Sequence, residues 1–230
     1  MSPGREAGAA RPGGRSSGAR SLETRHAIMA AAERLYAEQG IGGVSNRQIG
    51  EAAGQGNVAA VGYHFGSKTE LVRAIVAHHS AAAERIRQDM LDGIEDPDDV
   101  RAWVECLVRP VPEYLARLDA PTWYARFSSQ LMTDPVLRSV HTDDALNRRP
   151  LAAVLSGLGG LLGHVPAEVR RARGAMATVL ITHTCAEHEE RVGRGAAPPA
   201  SWRATATLLA DAVSGLVAAP STPTPKEWPQ

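Results

Sequence analysis

Cysteine is scarce in this 230-residue sequence, and long apolar runs and an excess of charge of either sign are missing. Its two cysteines, Cys106 and Cys185, are too few for the disulfide framework of a small secreted protein, and no CxxC motif of the kind that binds zinc occurs. No apolar run reaches the roughly 18 residues that span a bilayer, and the N-terminus has no apolar signal-peptide core. We therefore expect a soluble cytoplasmic protein without a metal or another cofactor.

The net charge is zero, because 25 Lys and Arg residues balance 25 Asp and Glu residues. This balance excludes proteins that attach to nucleic acid through bulk positive charge alone. The charge is nevertheless uneven along the chain, since residues 1–88 have 11 basic and 7 acidic side chains and residues 89–119 have nine acidic and three basic ones. This asymmetry has two explanations of about equal weight. Either the N-terminal third faces nucleic acid, or the charges vary by chance among solvated helix surfaces.

Helical periodicity fills most of the chain, and no alternating strand pattern of useful length occurs. The pattern predicts an all-α protein of about nine helices, one of which Pro110 and Pro112 should kink or split. The two ends lack apolar periodicity. Residues 1–20 are rich in Gly, Ala and Arg and residues 220–230 are rich in Pro, so both are predicted to be disordered tails.

Capping signals near the N-terminus indicate three helices before a long fourth one. Ser45 with Gln48 forms a capping box for the second helix, Asn57 can cap the third, and Ser67 with Glu70 begins the fourth. A Gly-containing turn precedes the third helix. This arrangement is typical of a helix-turn-helix unit, in which one helix braces across the DNA backbone and the next enters the major groove.

Ordered motifs occupy the same region. They read TR at 24–25, AAERLYAEQG at 31–40, SNRQI at 45–49, EAAG at 51–54 and YHFGSKTEL at 63–71. In order and spacing they resemble the DNA-binding region of tetracycline-repressor-type (TetR family) transcriptional regulators. Relative to the family's common pattern, the stretch from Gln55 to Gly62 is one residue longer, which marks a variant with one extra residue near the recognition helix. Beyond about residue 90 the chain resembles the family only in helix count and length.

The resemblance implies a helix-turn-helix DNA-binding domain at residues 21–66 and a helical ligand-binding and dimerisation domain at residues 67–219. It implies a non-enzymatic regulator, most often a repressor, that binds a pseudo-palindromic DNA operator as a homodimer and responds to a small apolar or amphipathic effector. Two alternatives stay open. One is a DNA-binding regulator controlled by a protein partner without a small ligand, and the other is a metal-dependent helical enzyme that uses His183 to His188.

The predicted DNA contacts are Ser45, Arg47, Asn57, Ala59, Ala60, Tyr63, His64 and Lys68. Ser45 at a helix N-terminus can donate its hydroxyl to a phosphate, and Arg47 can reach the backbone or the groove. Lys68 lies in the first turn of its helix, where its positive charge opposes the helix dipole, and a purely structural design would avoid a cation there. The resemblance implies that Lys68 contacts a phosphate, together with Tyr63 and His64. The third helix has no side chain that reads guanine or adenine in a bidentate manner. Arg47, Asn57 and Tyr63 are therefore the base-edge candidates, and either alanine can meet a thymine methyl. The structural alternatives are a plain helix cap for Ser45, a surface charge for Lys68 and a packed ring for Tyr63.

Two further residue sets are predicted in the C-terminal part. The candidate ligand-binding residues are Trp103, Leu107, Trp123, Tyr124, Phe127 and Met176, for which ordinary core packing is the alternative. The candidate dimer interface, on the last two helices, consists of Val169, Met176, Val179, Leu180, Leu208, Val213, Leu216 and Val217. His183, Cys185, Glu187 and His188 suggest a metal site, but their helical spacing and the lack of an HExxH motif favour a structural role.

Overall fold

A computed structural model describes residues 14–56, 59–134, 137–138 and 148–221. Over these ranges the chain forms ten α-helices, one short 3-10 helix and no strand, which confirms the all-α prediction. The helices are α1 (Gly14–Gln39), α2 (Asn46–Ala52), α3 (Ala60–Phe65), α4 (Lys68–Asp92), α5 (Val100–Val108), α6 (Pro110–Leu115), α7 (Tyr124–Thr133), α8 (Arg149–Leu161), α9 (Ala167–Gly193) and α10 (Trp202–Ala218), with the 3-10 helix at Pro199–Ser201. None of these helices has the length and apolarity that a bilayer crossing requires.

Local signals set most of the helix boundaries. The Ser45 capping box forms in full, because the Ser45 side chain accepts from the Gln48 backbone N–H and the Gln48 side chain accepts from the Ser45 backbone N–H. Ser67 likewise accepts from the Glu70 N–H at the start of α4. Pro110 occupies the first turn of α6 and separates it from α5, as predicted, because a proline cannot donate the hydrogen bond that would continue the helix.

Two predicted boundaries differ from the structure. Helix α1 begins at Gly14, inside the segment 1–20 that was predicted to be a tail; residues 1–13 of that segment, and residues 222–230 of the other, lie outside the described residues. Helix α3 begins at Ala60, and its N-cap Ala59 makes no side-chain capping bond. Asn57, the predicted cap of this helix, lies outside the described residues.

The ten helices share one continuous hydrophobic core. We call residues 14–66, which contain α1 to α3, the head, and residues 67–221 the body. Helix α4 contacts helices of both, and α1 also packs directly against α7, where the rings of Tyr36 and Phe127 stack with centroids 6.1 Å apart. Both side chains are fully buried. The orientation of the head is consequently fixed by packing against the body.

Candidate nucleic-acid interface

Helices α2 and α3 are joined by a tight turn and anchored by their apolar sides. Ile49 of α2 and Val61 and Phe65 of α3 are buried. Gly54, just after α2, has a φ of +68°, a conformation that L side chains rarely adopt, and this lets the chain turn sharply. The opposite side of α3 is left facing solvent, which is the arrangement that a recognition helix needs.

The exposed side of α3 carries few polar side-chain groups. Ala59, Gly62 and Tyr63 are exposed, and Tyr63 is 85% accessible. The rings of Tyr63 and His64 form a T-shaped pair with centroids 5.2 Å apart. Ala60 packs against the core, so Ala59 is the better placed of the two predicted thymine contacts. Asn57 lies outside the described residues, as does the place where the extra residue is predicted, so both remain predictions.

Gly62 stands in the middle of this exposed surface. A Cβ atom added there would meet no heavy atom of the described residues within 4 Å, so nothing in this part of the fold requires a glycine. Glycine inside a helix costs about 1 kcal/mol relative to alanine. Its bare backbone does, however, allow a binding partner to approach α3 closely.

Arg25 of α1 holds the last turn of α3. Its Nη1 donates to the His64 carbonyl at 2.7 Å, and its guanidinium lies over the Phe65 ring, 4.1 Å from the centroid. The bond satisfies a carbonyl that the end of a helix leaves without an intrahelical partner. The sequence does not indicate this role of Arg25, because the donor and the acceptor are 39 positions apart and no local motif joins them.

Lys68 has a structural role that the sequence prediction did not consider. Its Nζ donates to the carbonyls of Ile41 and Val44, both at 2.8 Å, and lies 5.9 Å from the centroid of the Tyr36 ring. The expectation that a structural design would avoid a cation here is wrong, because these carbonyls offset the unfavourable helix dipole. The ammonium fixes the loop before α2, and one of its three N–H donors remains for a phosphate.

Ser45 and Arg47 present exposed polar groups at the start of α2. The Ser45 hydroxyl donates to Gln48 Oε1 at 2.8 Å, so a phosphate would have to compete with this bond. Arg47 Nε donates to Glu51 Oε1 at 2.8 Å, and both side chains are more than half exposed. Exposed pairs of this kind contribute little to stability, so the guanidinium can turn towards a phosphate at small cost.

A buried polar network joins the head to the body. His79 of α4 contacts Tyr114 of α6 through Nδ1 at 2.8 Å and Glu33 of α1 through Nε2 at 2.7 Å. Its ring also stacks on Tyr124 of α7, with centroids 4.0 Å apart. The His79 and Glu33 side chains are only 9% and 13% exposed. The contacts span 35 and 46 residues, so no local pattern in the sequence indicates them.

The six predicted ligand-binding residues have varied surroundings in the described part of the chain. Tyr124 and Phe127 are buried core residues, and Met176 is 57% exposed. Trp103 donates from Nε1 to the Pro97 carbonyl at 2.8 Å, and Trp123 stacks under the guanidinium of Arg126 at 4.4 Å. Leu107, the sixth, packs against the core. The alternative of ordinary packing describes most of this set.

Three clefts lie elsewhere on the described surface. One of about 440 Å³ lies between α1, α7 and α9, and one of about 300 Å³ lies between α9 and α10. A third, of about 320 Å³, lies between α4 and the start of α8. None of the six predicted ligand-binding residues lines any of these three clefts.

The predicted dimer residues divide into an exposed and a buried group. The exposed members lie on α9 and α10, with accessible fractions of 57%, 48%, 36% and 69%: Met176, Val179, Leu180 and Leu208. Val169 and Leu216 are half-buried. Val213 and Val217 are buried in the chain's own core, so their prediction as interface residues is wrong: their side of α10 already packs against the body.

The residues that suggested a metal site have other partners. His188 contacts Ser201 Oγ at 2.9 Å through Nε2 and Thr205 Oγ1 at 3.1 Å through Nδ1. Cys185 is buried, and burial raises the pKa of its thiol to about 12. Across the described ranges, no group of three or more His, Cys, Asp or Glu side chains is arranged to hold a metal ion.

Comparison with known proteins identifies a family and a curated relative. Residues 28–75 match the family of bacterial regulatory proteins described as the tetR family. The HTH-type transcriptional repressor AcnR of Corynebacterium efficiens is 29% identical over 132 residues, which cover 55% of this chain and 60% of that protein. The alignment thus spans less than two thirds of the relative's length.

Two solved structures have the same fold. A TetR family transcription regulator from Marinobacter aquaeolei VT8 superposes with a TM-score of 0.55 and 16% identity, covering 84% of this chain and 97% of that one. A protein described as a putative tetR family transcription regulator from Shewanella sp. PV-4 superposes with a TM-score of 0.51 and 18% identity, covering 82% and 97%. At such identities the similarity is one of fold alone.

Proposed function

We propose, from the match of residues 28–75 to the tetR family of bacterial regulatory proteins, that the chain is a DNA-binding transcriptional regulator that acts as a repressor. The observation that carries the proposal is the head itself. Helices α2 and α3 form a helix-turn-helix unit whose second helix is anchored on one side and exposed on the other. Such a regulator acts in the cytoplasm, where its operator DNA lies.

The protein contacts DNA through two kinds of residue. Arg47 and the remaining donor of Lys68 bind phosphates and position the head, whereas Tyr63 and Ala59 meet base edges in the major groove. The exposed surface of α3 offers a single hydroxyl and small apolar groups, so sequence is read mainly by shape and by contact with thymine methyls.

A homodimer presents two heads to the operator. The exposed apolar residues Met176, Val179, Leu180 and Leu208 form the surface that pairs with a second copy. A two-fold axis through this surface places two α3 helices on successive major grooves, about 34–36 Å apart, so the operator is a pseudo-palindrome. An effector bound in the body lowers DNA affinity by favouring a conformer in which this spacing no longer fits.

The experiment is a fluorescence-anisotropy titration of operator and random duplexes with wild type, Tyr63→Ala and Arg117→Ala. Both side chains are exposed, so both variants should fold. We expect Tyr63→Ala to lose at least tenfold in operator affinity and Arg117→Ala, which lies in the body, to bind as wild type does. Equal affinity of wild type for operator and random duplexes would contradict the proposal.

A further inference from the structure

We infer that His26 of α1 and His78 of α4, which we call the junction pair, bind one divalent transition-metal ion of the zinc type between the head and the body. Binding of the ion goes beyond the proposed function and does not depend on it. The claim that the ion regulates DNA affinity rests on the proposed function. The junction pair lies apart from the segment from His183 to His188 that the sequence suggested for a metal.

The two imidazoles of the junction pair lie side by side where the head meets the body. Their ring centroids are 6.0 Å apart, and the ring planes are tilted by 46°, so the rings are not stacked. Both residues are exposed, so an ion and its water ligands can reach them from solvent. Within the described residues, neither imidazole makes a hydrogen bond or an ion pair, so binding a metal ion breaks no existing bond.

A neighbouring bond holds the two helices in register beside the junction pair. Glu33 lies about two helical turns after His26, so both residues lie on the same side of α1. On α4, His79 follows His78 and contacts Glu33 through Nε2 at 2.7 Å. This contact is almost completely buried, and it keeps α1 against α4. Ligands that are held in place before binding lose less conformational freedom when the ion binds.

The distance between the two rings suits imidazoles that share one ion. A bond from zinc to an imidazole nitrogen is about 2.0–2.1 Å long, so the ring centroids of two imidazoles on one ion lie roughly 5–6 Å apart. Imidazole nitrogen is a good ligand for Zn²⁺, Ni²⁺ and Cu²⁺, whereas Mg²⁺ and Ca²⁺ prefer oxygen. The junction pair therefore favours ions of the zinc type over magnesium and calcium.

Two protein ligands leave the other coordination positions of the ion to water. Structural zinc sites are closed by four protein ligands, and catalytic sites use three. The junction pair is smaller than either, in agreement with the lack of a metal-binding group of three or more residues in the described ranges. The ion is therefore exchangeable, as an ion that regulates a protein must be.

An ion bound to the junction pair joins the head to the body. One ligand belongs to each part, so the ion binds only while α1 and α4 keep the described arrangement, and it stabilises that arrangement by mass action. The arrangement of α1 sets the orientation of α3, because Arg25 of α1 holds the end of α3 at the His64 carbonyl. Binding of the ion should therefore change the affinity for DNA, which is the step that rests on the proposed function.

The binding test uses the full chain without an affinity tag, freed of DNA and treated with a chelator that is then removed. Isothermal titration calorimetry with zinc chloride measures affinity and stoichiometry, and magnesium chloride is the control for an ion that prefers oxygen. We expect saturable binding of zinc and none of magnesium. The lack of saturable zinc binding, or equal binding of zinc and magnesium, would overturn the inference.

Variants locate the zinc ion. His26→Gln and His78→Gln each remove one ligand, and both should fold because both residues are exposed. Each should weaken zinc binding at least tenfold, whereas His164→Gln, at an exposed histidine between α8 and α9, should bind as wild type does. His26→Cys supplies a thiolate ligand and should retain zinc binding. Wild-type affinity in His26→Gln or in His78→Gln would mean an adventitious ion only and would refute the assignment.

A separate titration with operator DNA distinguishes the two proposals. If zinc binds to the junction pair but the protein binds no operator, the site stands and the proposed function fails. If the protein binds operator but no zinc, the proposed function stands and the site fails. If both bind, zinc should change operator affinity at least threefold in wild type and not in His26→Gln; an unchanged operator affinity in wild type would refute the regulatory claim.

Discussion

Several charged side chains in the described part of this protein bind backbone groups at helix ends and in loops. Lys68 holds two loop carbonyls, Arg25 holds a carbonyl at the end of α3, and Glu189 accepts the first N–H groups of α7 from Ala125 and Arg126 at 3.1 and 2.9 Å. Glu189 is almost completely buried, and burial raises its pKa although these N–H groups oppose the rise. Each of these side chains bonds to a group that is distant in the sequence, so neither composition nor local spacing predicts the bond.

Replacement of Lys68 separates its structural role from a role in DNA binding. Lys68→Ala leaves the carbonyls of Ile41 and Val44 without their donor, so we expect a decrease of about 1–3 kcal/mol in the free energy of unfolding, measured by urea denaturation. If Lys68 also binds a phosphate, the slope of log K against log[salt] becomes shallower by about 0.9 for each phosphate that the variant no longer neutralises. An unchanged slope would leave Lys68 with a structural role only.

Gly157 is a position where alanine should destabilise a helix instead of stabilising it. A Cβ atom there would lie 2.5–2.6 Å from the indole ring of Trp103, which the bond to Pro97 holds in place. We expect Gly157→Ala to cost about 1–3 kcal/mol in the free energy of unfolding. Gly159→Ala, two residues along the same helix, meets no atom within 4 Å and should gain up to about 1 kcal/mol. Equal thermal denaturation midpoints for both variants would show that α5 and α8 do not pack this closely.

At the scale of helices, the sequence predicted what local chemistry determines. The capping box at Ser45, the cap at Ser67 and the break before Pro110 each depend on residues within one turn, and all three formed. The sequence could not show that α3 begins late, because its N-cap Ala59 makes no side-chain capping bond. It also could not show the contacts of Arg25 or Lys68, because the donors lie 24 to 39 residues from their acceptors.

The next prediction concerns Gly62 in helix α3. Gly62→Ala should raise stability by up to about 1 kcal/mol, because the new methyl meets open space and alanine favours a helix. The same methyl projects from the exposed surface that we assign to the major groove, so operator affinity should fall. Gly159→Ala serves as the control, since it should stabilise the protein without changing DNA binding. An unchanged operator affinity for Gly62→Ala, measured by anisotropy, would show that α3 does not approach the DNA closely at this residue.

Over the whole molecule, the head and the body behave as one packed unit with one uncovered apolar surface on the described part of α9 and α10. The stacking of Tyr36 on Phe127 and the bond of Glu33 to His79 join the two parts through buried groups. The sequence predicts a DNA-binding part followed by a ligand-binding and dimerisation part, and it predicts that the last two helices form the dimer interface. It also assigned Val213 and Val217 to that surface, because periodicity alone does not tell which side of a buried helix faces the core.

The dimer is tested with a charge in the uncovered surface. Leu208 is 69% exposed within one chain, so Leu208→Asp should leave the fold intact and convert the dimer to a monomer in sedimentation-velocity experiments at micromolar concentration. Leu22→Asp, at a residue 60% exposed on α1, should stay dimeric. A wild-type protein that sediments as a monomer would contradict the proposed assembly.

Sequence-specific DNA binding is tested most directly by selection of binding sites by the purified protein from a pool of random DNA duplexes. We predict enrichment of an inverted repeat whose half-sites lie about one helical turn apart. Enrichment should disappear for Tyr63→Ala and persist for Arg117→Ala. A pool that shows no enriched sequence after repeated selection would contradict the claim that this protein is a sequence-specific DNA-binding regulator.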